Sequence, residues 1–213
     1  NAGNKIISDL QVIGCTVKTT GASSVAVGGT GTGGVLSTCI ATNTIRLQGI
    51  VVRNCQIEGP GYVGGFIGVS QRSNTGAAMS RIYVAEDVTV TSENQAAGGL
   101  FGYADRLDLK DSASGAAVSA GSEAGGLIGH LELLENEIVA NLKNVYYKGS
   151  VYASQDYAGG VIGKLNSGSV RLTDSHMQNI LVAADVRTGG ENISLWVNNT
   201  VSTSSAGTGL IYI

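Results

Sequence analysis

Cysteine, proline and large aromatic residues are scarce in this sequence, which has three Cys, one Pro, two Phe and one Trp in 213 residues. Three cysteines are too few for the disulfide framework of a small secreted fold, and no CxxC pair suggests zinc. Charged residues are also few, at 14%, and the absence of a basic run argues against nucleic-acid binding. Since no stretch of 18 apolar residues is present, no membrane-spanning segment is predicted.

Glycine, in contrast, occupies 32 positions, hydrophobic residues make up 43%, and the net charge is −3. This composition is too apolar and too weakly charged for a disordered chain. Small residues suit tight turns and closely stacked strands, which favours a β-rich repeat fold. The chain begins with NAGNKI, without an initiator Met or a signal-like apolar stretch, so we expect a mature chain or a piece of a longer protein.

A glycine-framed apolar box recurs through the sequence. Its clear copies are VGGFIGV at 63–69, AGGLFGY at 97–103, AGGLIGH at 124–130 and AGGVIGK at 158–164, and its weaker copies are GGVLS at 33–37 and TGLIY at 208–212. The second glycine of the box defines a column of repeat glycines: Gly34, Gly65, Gly99, Gly126, Gly160 and Gly209. Either a corner with positive φ or a close approach of neighbouring backbones would require glycine there.

A second phrase alternates with the box. It includes VVRNCQI at 51–57, LDLKDSAS at 107–114, NLKNVYY at 141–147 and RLTDSHM at 171–177. Its most polar column is Gly14, Asn54, Arg81, Asp111, Asn144 and Asp174. Apolar and polar residues alternate around this column, which is the period of a strand. Asn and Asp also predict a bend in the strand at that position.

The two phrases together predict an all-β fold, a parallel β-solenoid. About six coils of roughly 30 residues, each with three short strands, would stack at about 4.8 Å per coil. A helical alternative fails on the glycine content and on the β-branched residues of the strands. We expect a single domain over 1–213, with a degenerate N-terminal coil at 1–50, clear repeats at 51–175, and a terminal coil at 176–213 that contains a long excursion at 187–205.

The two residues after the repeat glycine are both bulky in each copy of the box. Because adjacent strand residues face opposite sides, one of these columns should point away from the core. The sequence therefore predicts an apolar contact stripe formed by Phe66, Leu100, Leu127 and Val161. Two alternatives are a loop that covers the stripe and a corner that turns both side chains inward.

Residues 144–175, NVYYKGSVYASQDYAGGVIGKLNSGSVRLTDS, resemble the GLUG-motif repeat, whose box is Gly-Leu-any-Gly within a GGLxG frame. GGLFG at 98–102 and GGLIG at 125–129 match this box, whereas GGFIG at 64–68 and GGVIG at 159–163 replace its leucine. The resemblance covers most of 50–175. It implies a repeat region of a large secreted or surface microbial protein, such as an adhesin-like protein or a region of an immunoglobulin-A-cleaving metalloprotease. It implies no catalytic residue.

No catalytic motif accompanies the repeats. The zinc-protease HExxH and the nucleophile-elbow GxSxG are both absent,. The carboxylates of DRLDLKD at 105–111 and ELLENE at 132–137 are expected to be solvated charges rather than a catalytic pair. We therefore predict a protein that is not an enzyme and has no cofactor and no metal site.

Two pairs of residues suggest covalent modification. Cys15 and Cys55 occupy the same column of successive coils, so they are expected near disulfide distance, with stacked buried thiols as the alternative. Asn192 and Asn198 lie in N-glycosylation sequons, which matter if the source glycosylates its secreted proteins.

Four tyrosines fall within one predicted coil, namely Tyr146, Tyr147, Tyr152 and Tyr157. An exposed aromatic shelf would suit stacking against sugars, whereas packing of the rings against loops is the alternative.

The sequence thus predicts a non-enzymatic structural or interaction module of an extracellular or cell-surface protein, such as a stalk, an adhesin segment or a fibre building block. Its partners would be another protein or further copies of itself, stacked laterally or end to end into a filament, with surface glycans as a further candidate. Neither nucleic-acid binding nor membrane insertion is expected. The alternative function is a carbohydrate-binding or polysaccharide-degrading β-helix domain.

Overall fold

The computed structural model describes residues 5–21, 31–41, 45–72, 78–105, 107–133, 140–166, 177–195 and 197–199. Within these ranges every regular element is a β-strand. The first coil contains β1 (Lys5–Ser8), β2 (Gln11–Ile13), β3 (Thr16–Lys18), β4 (Thr32–Gly33) and β5 (Leu36–Ala41). The second contains β6 (Ile45–Arg53), β7 (Gln56–Gly59), β8 (Val63–Gly64) and β9 (Ile67–Arg72).

The later coils repeat this order of strands. The third coil contains β10 (Ala78–Val84), β11 (Thr89–Ser92), β12 (Ala96–Gly98) and β13 (Phe101–Asp105). The fourth contains β14 (Leu107–Ser114), β15 (Ala117–Ala120), β16 (Glu123–Gly125) and β17 (Ile128–Glu132). The fifth contains β18 (Ala140–Ala153), β19 (Tyr157–Gly159) and β20 (Ile162–Asn166), and the sixth β21 (Met177–Thr188), β22 (Asn192–Ser194) and β23 (Val197–Asn199).

Strands of successive coils pair side by side and in parallel, so the chain winds into a rod. Two sheets have six strands each, in the orders β4-β8-β12-β16-β19-β22 and β5-β9-β13-β17-β20-β23. The third sheet has 11 strands, because β18 pairs with both β14 and β15 and so joins two faces of the rod. The predicted all-β parallel β-solenoid is confirmed.

The numbers of turns and strands differ from those predicted. Strands of six successive coils are present, but only about four of these coils are complete turns, whereas about six were predicted. Coils two to four have four strands each rather than three. The difference arises because the glycine box, predicted as one strand, is a tight turn between two short strands.

The predicted excursion at 187–205 is wrong where the structure describes it. β22 and β23 lie within that range and pair in parallel with β19 and β20, so they complete the sixth coil. Residues 200–205 lie outside the described residues, as do 171–176 of the predicted second phrase.

The interior of the rod is filled by apolar side chains at matching positions of successive coils. Leu47, Met79, Leu109 and Leu142 pair in register and are all buried. Since burial of each such side chain contributes about 1.5–3 kcal/mol, the stacked coils stabilise one another in a way that a single coil could not.

One residue in each coil has the left-handed backbone conformation, at a position that the parallel pairing aligns. This bend column, with φ between 51 and 65°, is Asp9, Gly49, Arg81, Asp111, Asn144 and Asn179. Asn, Asp and Gly adopt this conformation at least cost, which explains why they recur here. The predicted bends at Arg81, Asp111 and Asn144 belong to this column.

Bends are also found at the predicted positions Gly14 and Asn54, but their predicted alignment with the later bends is wrong. Gly14 and Asn54 form a separate left-handed bend, after β2 and β6, with φ of 68 and 50°, and the register aligns Arg81 with Gly49 instead. The second coil thus has two bends close together, at Gly49 and Asn54. The spacing of the repeats aligned Asn54 with Arg81, whereas the residue that pairs at this level is Gly49. Asp174 lies outside the described residues, and Asn179 occupies its expected position.

The repeat glycines lie directly above one another along the rod. The amide of Gly65 donates to the carbonyl of Gly98 in the next coil at 3.1 Å, and a Cβ on Gly65 would overlap the carbonyl oxygen of Gly99. The same overlap with the next coil would occur at the other described members of this glycine file, Gly34, Gly99, Gly126 and Gly160. Within the described residues the file has no positive φ, so a close approach of backbones explains it.

The glycine file ends at the sixth coil. Gly209, its predicted last member, lies outside the described residues. The register instead places Leu195 after Ser194, which pairs with Gly159, and the carbonyl of Leu195 stands next to Gly160.

The predicted contact stripe is wrong, because the structure buries it. Phe66, Leu100, Leu127 and Val161 are each 0% exposed, and so is the residue after each of them. At the turn of the second coil, the amides of Phe66 and Ile67 both donate to the Leu100 carbonyl, at 3.0 and 2.9 Å. Two successive residues thus occupy one corner, and both side chains turn into the core.

Candidate functional site

A groove crosses the outer face of three neighbouring strands, β10, β14 and β18. Tyr83, Ala113 and Tyr146 pair in register on this face. Tyr83 is 45% exposed and Tyr146 is half-buried. Because neighbouring strands are spaced at about 4.8 Å, the two tyrosines lie roughly 9.6 Å apart along the rod. The small Ala113 side chain leaves the space between them open.

The same groove is polar where it meets the bend column. Arg81, Asp111 and Asn144 line this end, and the volume is about 390 Å³. The amide of Asn144 donates to the Asp111 carboxylate at 2.7 Å. We call the surface formed by Arg81, Tyr83, Asp111, Ala113, Asn144 and Tyr146 the tyrosine groove. The groove is shallow and largely open to solvent.

The polar side chain at the floor of the groove already has hydrogen-bond partners within the protein. The hydroxyl of Ser112, which also lines it, donates to the Lys110 carbonyl at 2.7 Å and accepts from the amide of Ile82 at 3.1 Å. Polar contact with a ligand therefore depends on the side chains at the end of the groove. At the polar end, Asn144 also accepts a hydrogen bond from Asn179 at 2.9 Å, so the surface offers two tyrosines and the guanidinium of Arg81 to a ligand.

A second set of polar residues lies where the third, fourth and fifth coils turn. Glu123 of β16 faces His130 of β17 across the glycine box, with Oε2 and Nδ1 2.6 Å apart. The ammonium of Lys164, from β20, donates to the other oxygen of Glu123 at 2.8 Å. Glu123 and His130 are each 8% exposed. We call Tyr103, Glu123, His130, Glu132 and Lys164 the arch cluster.

The remaining contacts of the arch cluster centre on Glu132. The hydroxyl of Tyr103 donates to its carboxylate at 3.3 Å, and the amide of Asn166 donates to it at 3.1 Å. The Tyr103 ring stacks on His130 with 5.4 Å between ring centroids. Nε2 of His130 is 3.7 Å from Glu132 and has no hydrogen-bond partner among the described residues.

The electrostatics of the arch cluster follow from burial and charge pairing. Burial raises the pKa of the Glu123 carboxyl, but hydrogen bonds and attraction from His130 and Lys164 outweigh it, and the net pKa is lowered. Burial, with the nearby carboxylate of Glu132, raises the pKa of the Tyr103 hydroxyl. The cluster is therefore a buried ion-pair network that joins three coils.

Sequence reasoning missed the arch cluster. It treated Glu132 as a solvated charge, together with Glu135 and Glu137, which lie outside the described residues. Glu123 and His130 directly flank the box segment at 124–129. Because the box is a turn between two strands, the residues on either side of it lie close together. The position of Glu123 and His130 beside the box is therefore the sequence signal that could have predicted their contact.

The aspartates of the other predicted acidic segment, 105–111, have different surroundings in the structure. Asp105 ends β13 and is 8% exposed, whereas Asp111 belongs to the bend column and is exposed. Asp108 lies 3.7 Å from the ammonium of Lys110. In the described part of the chain, no three His, Cys, Asp or Glu residues are grouped to hold a metal ion.

Cys15 and Cys55 lie at matching positions of the first and second coils. Each precedes one of the paired residues Thr16 and Gln56, and the amide of Cys15 donates to the Cys55 sulfur at 3.4 Å. Both residues are thiols here, and burial raises the pKa of Cys55. Their oxidation to a disulfide stays a prediction.

The structure describes part of the predicted glycosylation and tyrosine sites. Asn192 is exposed on β22, and Asn198 lies on β23; their glycosylation stays a prediction. Tyr147 is buried, and its hydroxyl lies 2.9 Å from the carbonyl oxygens of both Ala116 and Ser150, either of which can accept its hydrogen bond. Tyr152 is 46% exposed, so the four tyrosines of this coil do not form one shelf.

The fold defines a repeat protein, a parallel β-solenoid with a shallow groove on its outer face. The chain is 28% identical over 158 residues to halomucin, a surface protein of Haloquadratum walsbyi (strain DSM 16790 / HBSQ001). The match covers 70% of this chain but 2% of halomucin. No protein-family model matches, so the GLUG resemblance stays a prediction, and no solved structure matches.

Proposed function

We propose that this chain is a non-enzymatic structural and interaction module of an extracellular or surface protein, such as a stalk, an adhesin segment or a fibre building block. The observation that supports this role most directly is the continuous parallel pairing of six strands in each of two sheets, with one register shift, between β20 and β23. The similarity to a segment of halomucin supports a surface location.

The mechanical basis of the proposed role is the direction of the hydrogen bonds. Backbone bonds between coils run along the rod, as from Gly65 to Gly98 and from Gly99 to Gly125. The packed interior keeps neighbouring coils from sliding, because a slip of one residue would turn every inward side chain outward. A rod built in this way resists bending and presents a long lateral surface.

A role without catalysis is supported by the state of the ionisable residues. Both carboxylates of the arch cluster already have hydrogen-bond partners within the rod, Glu123 with Lys164 and Glu132 with Tyr103. Glu123 is also almost fully buried. A catalytic carboxylate must instead reach a substrate atom. The carboxylate of Asp111 at the tyrosine groove accepts a hydrogen bond from Asn144.

The proposed partners are other proteins, further copies of the chain stacked end to end, or surface glycans. Lateral association through Phe66, Leu100, Leu127 and Val161 is no longer proposed, because these side chains are buried. In the described residues no helix is long and apolar enough to cross a membrane. A second candidate function, carbohydrate binding, is favoured by the tyrosine groove.

Two measurements test the proposed function. Small-angle scattering and electron microscopy of the purified chain should show isolated rods or fibres. Incubation with a panel of polysaccharides, followed by assays for new reducing ends and for unsaturated products, should show no turnover. Cleavage of any polysaccharide that requires this chain would overturn the non-enzymatic proposal.

A further inference from the structure

We infer that the tyrosine groove is a saccharide-binding site that takes one acidic pyranose ring between Tyr83 and Tyr146. This inference rests on the proposed role of the rod as an interaction module, and it names the chemistry of one partner. The groove lies on the outer face of a sheet whose inner face packs against the core. The pairing of β10, β14 and β18 therefore fixes the spacing of the two tyrosines.

The spacing of the two tyrosines selects a single ring. With each tyrosine ring above its own strand, a ring placed above Ala113 would be one strand spacing, about 4.8 Å, from each of them. Rings in contact have centroids about 4.5–7 Å apart, so one flat ring fits and two do not. A pyranose presents C–H groups on its faces and hydroxyls at its edge, which matches two aromatic walls with a polar end.

The opening depends on one small side chain. The described column through the groove is Val51, Tyr83, Ala113, Tyr146 and Leu181. Ala113 is its smallest member and lies between its two aromatic members. A larger residue at that position would fill the space and close the slot.

The charges beside the groove favour a carboxylate on the sugar. The guanidinium of Arg81 is exposed and has no ion-pair or hydrogen-bond partner among the described residues. Lys110 and Lys143 are exposed at paired positions immediately before the bend. Against these three cations stand Asp111, which Asn144 already contacts, and Asp108, which lies 3.7 Å from Lys110. The local charge is positive on a chain whose net charge is −3.

Titration calorimetry with oligosaccharides of galacturonate, glucuronate, mannuronate and guluronate tests the inference, with the neutral galactose and glucose oligosaccharides as comparison. We expect at least one uronate series to bind, and to bind more tightly than its neutral counterpart. Tyr83→Ala and Tyr146→Ala should each weaken binding about tenfold or more. Arg81→Gln should reduce the preference for the uronate over the neutral sugar.

Ala113→Tyr is the decisive variant, because it adds an aromatic ring to the surface but closes the slot. We expect it to abolish binding while circular dichroism and thermal unfolding stay unchanged. Tyr152→Ala is the matched control, since Tyr152 is exposed to the same degree as Tyr83 but lies outside the groove. It should bind like the unmodified chain.

The inference is overturned if no uronate oligosaccharide binds at millimolar concentrations, if folded Ala113→Tyr binds like the unmodified chain, or if neutral sugars bind as tightly as acidic ones. Each of these results leaves the rod and its proposed structural role intact. Turnover of a bound saccharide would have the opposite meaning, because it would overturn the non-enzymatic proposal and leave the groove as a binding site.

Discussion

At the scale of single residues, the absence of a side chain decides how closely the coils stack. Each member of the glycine file donates its amide to one coil while its Cα faces a carbonyl of the same neighbour, as Gly99 does with Gly125 and Gly126. Any Cβ would have to push the two coils apart. Since protein interiors are close-packed, such a displacement would be felt throughout the turn.

We therefore expect Gly99→Ala to lower the free energy of unfolding by about 1–3 kcal/mol. Its added Cβ would meet the carbonyl of Gly126 and the hydroxyl of Ser114. Urea denaturation followed by circular dichroism measures the change. Gly21→Ala is the control, because nothing lies within 4 Å of a Cβ added there. Equal stability of the two variants would contradict the close approach.

The ion pairs of the arch cluster make a separate prediction about pH. The pKa of Glu123 is lower in the folded chain than in the unfolded chain, where 4.5 applies. The stabilisation from this group is therefore fully present above pH 4.5, and it is lost as the pH falls through the folded value. Glu123→Gln should remove this contribution, so its stability should fall less steeply between pH 6 and about pH 3.

Denaturation midpoints measured across that pH range test the role of Glu123. Glu86→Gln, which replaces an exposed carboxylate, serves as the control and should keep the pH dependence of the unmodified chain. If Glu123→Gln and the unmodified chain have parallel pH profiles, the hydrogen bonds from His130 and Lys164 do not stabilise the ionised carboxylate.

At the scale of elements, the glycine box is a turn between two strands, and this changes the meaning of its apolar residues. On a straight strand, Leu127 and Ile128 would face opposite sides. At the turn both are fully buried. Sequence periodicity identified the element but could not fix its path, because the same letters suit a straight strand and a tight turn.

The buried position of Leu127 predicts its behaviour on truncation. Leu127→Ala should destabilise the chain by about 2–5 kcal/mol, through lost burial and the cavity left behind. Light scattering should show no change in its state of association. Leu181→Ala, at a residue 47% exposed, is the control and should change stability by less than about 0.5 kcal/mol. A shift in association with unchanged stability would instead restore the contact stripe.

The elements also mark where prediction from sequence succeeded. The column of repeat glycines could be predicted because the close approach of neighbouring coils requires the same residue type in each copy of the box. Five of these glycines lie in one file in the structure. The bend column failed at the second coil because Gly49 and Asn54 both accept a left-handed conformation. The sequence alone does not show which of these two bends aligns with Arg81, because the alignment depends on how the strands of the second and third coils pair.

At the scale of the whole molecule, both candidate sites depend on the stacking of coils. The arch cluster joins Glu123 to residues 7 and 41 positions away, His130 and Lys164. The tyrosine groove joins three successive coils. Neither is a local motif, so their geometry follows from the register between coils. Neither the distances between these residues nor their exposure follows from the sequence without that register.

The same architecture predicts a gradient of local stability along the rod. Stability in a solenoid is approximately a sum of coil and interface terms, and opening begins where few apolar contacts hold the backbone. In the first coil, every residue of β1 is exposed, whereas every residue of β13 in the third coil is buried. We expect amide hydrogen exchange to be fast in residues 5–18 and slowest in 101–105, as mass spectrometry of peptic fragments would show. Uniform protection along the chain would mean that it unfolds as one cooperative unit, and the coils would then be coupled more strongly than their nearest-neighbour contacts imply.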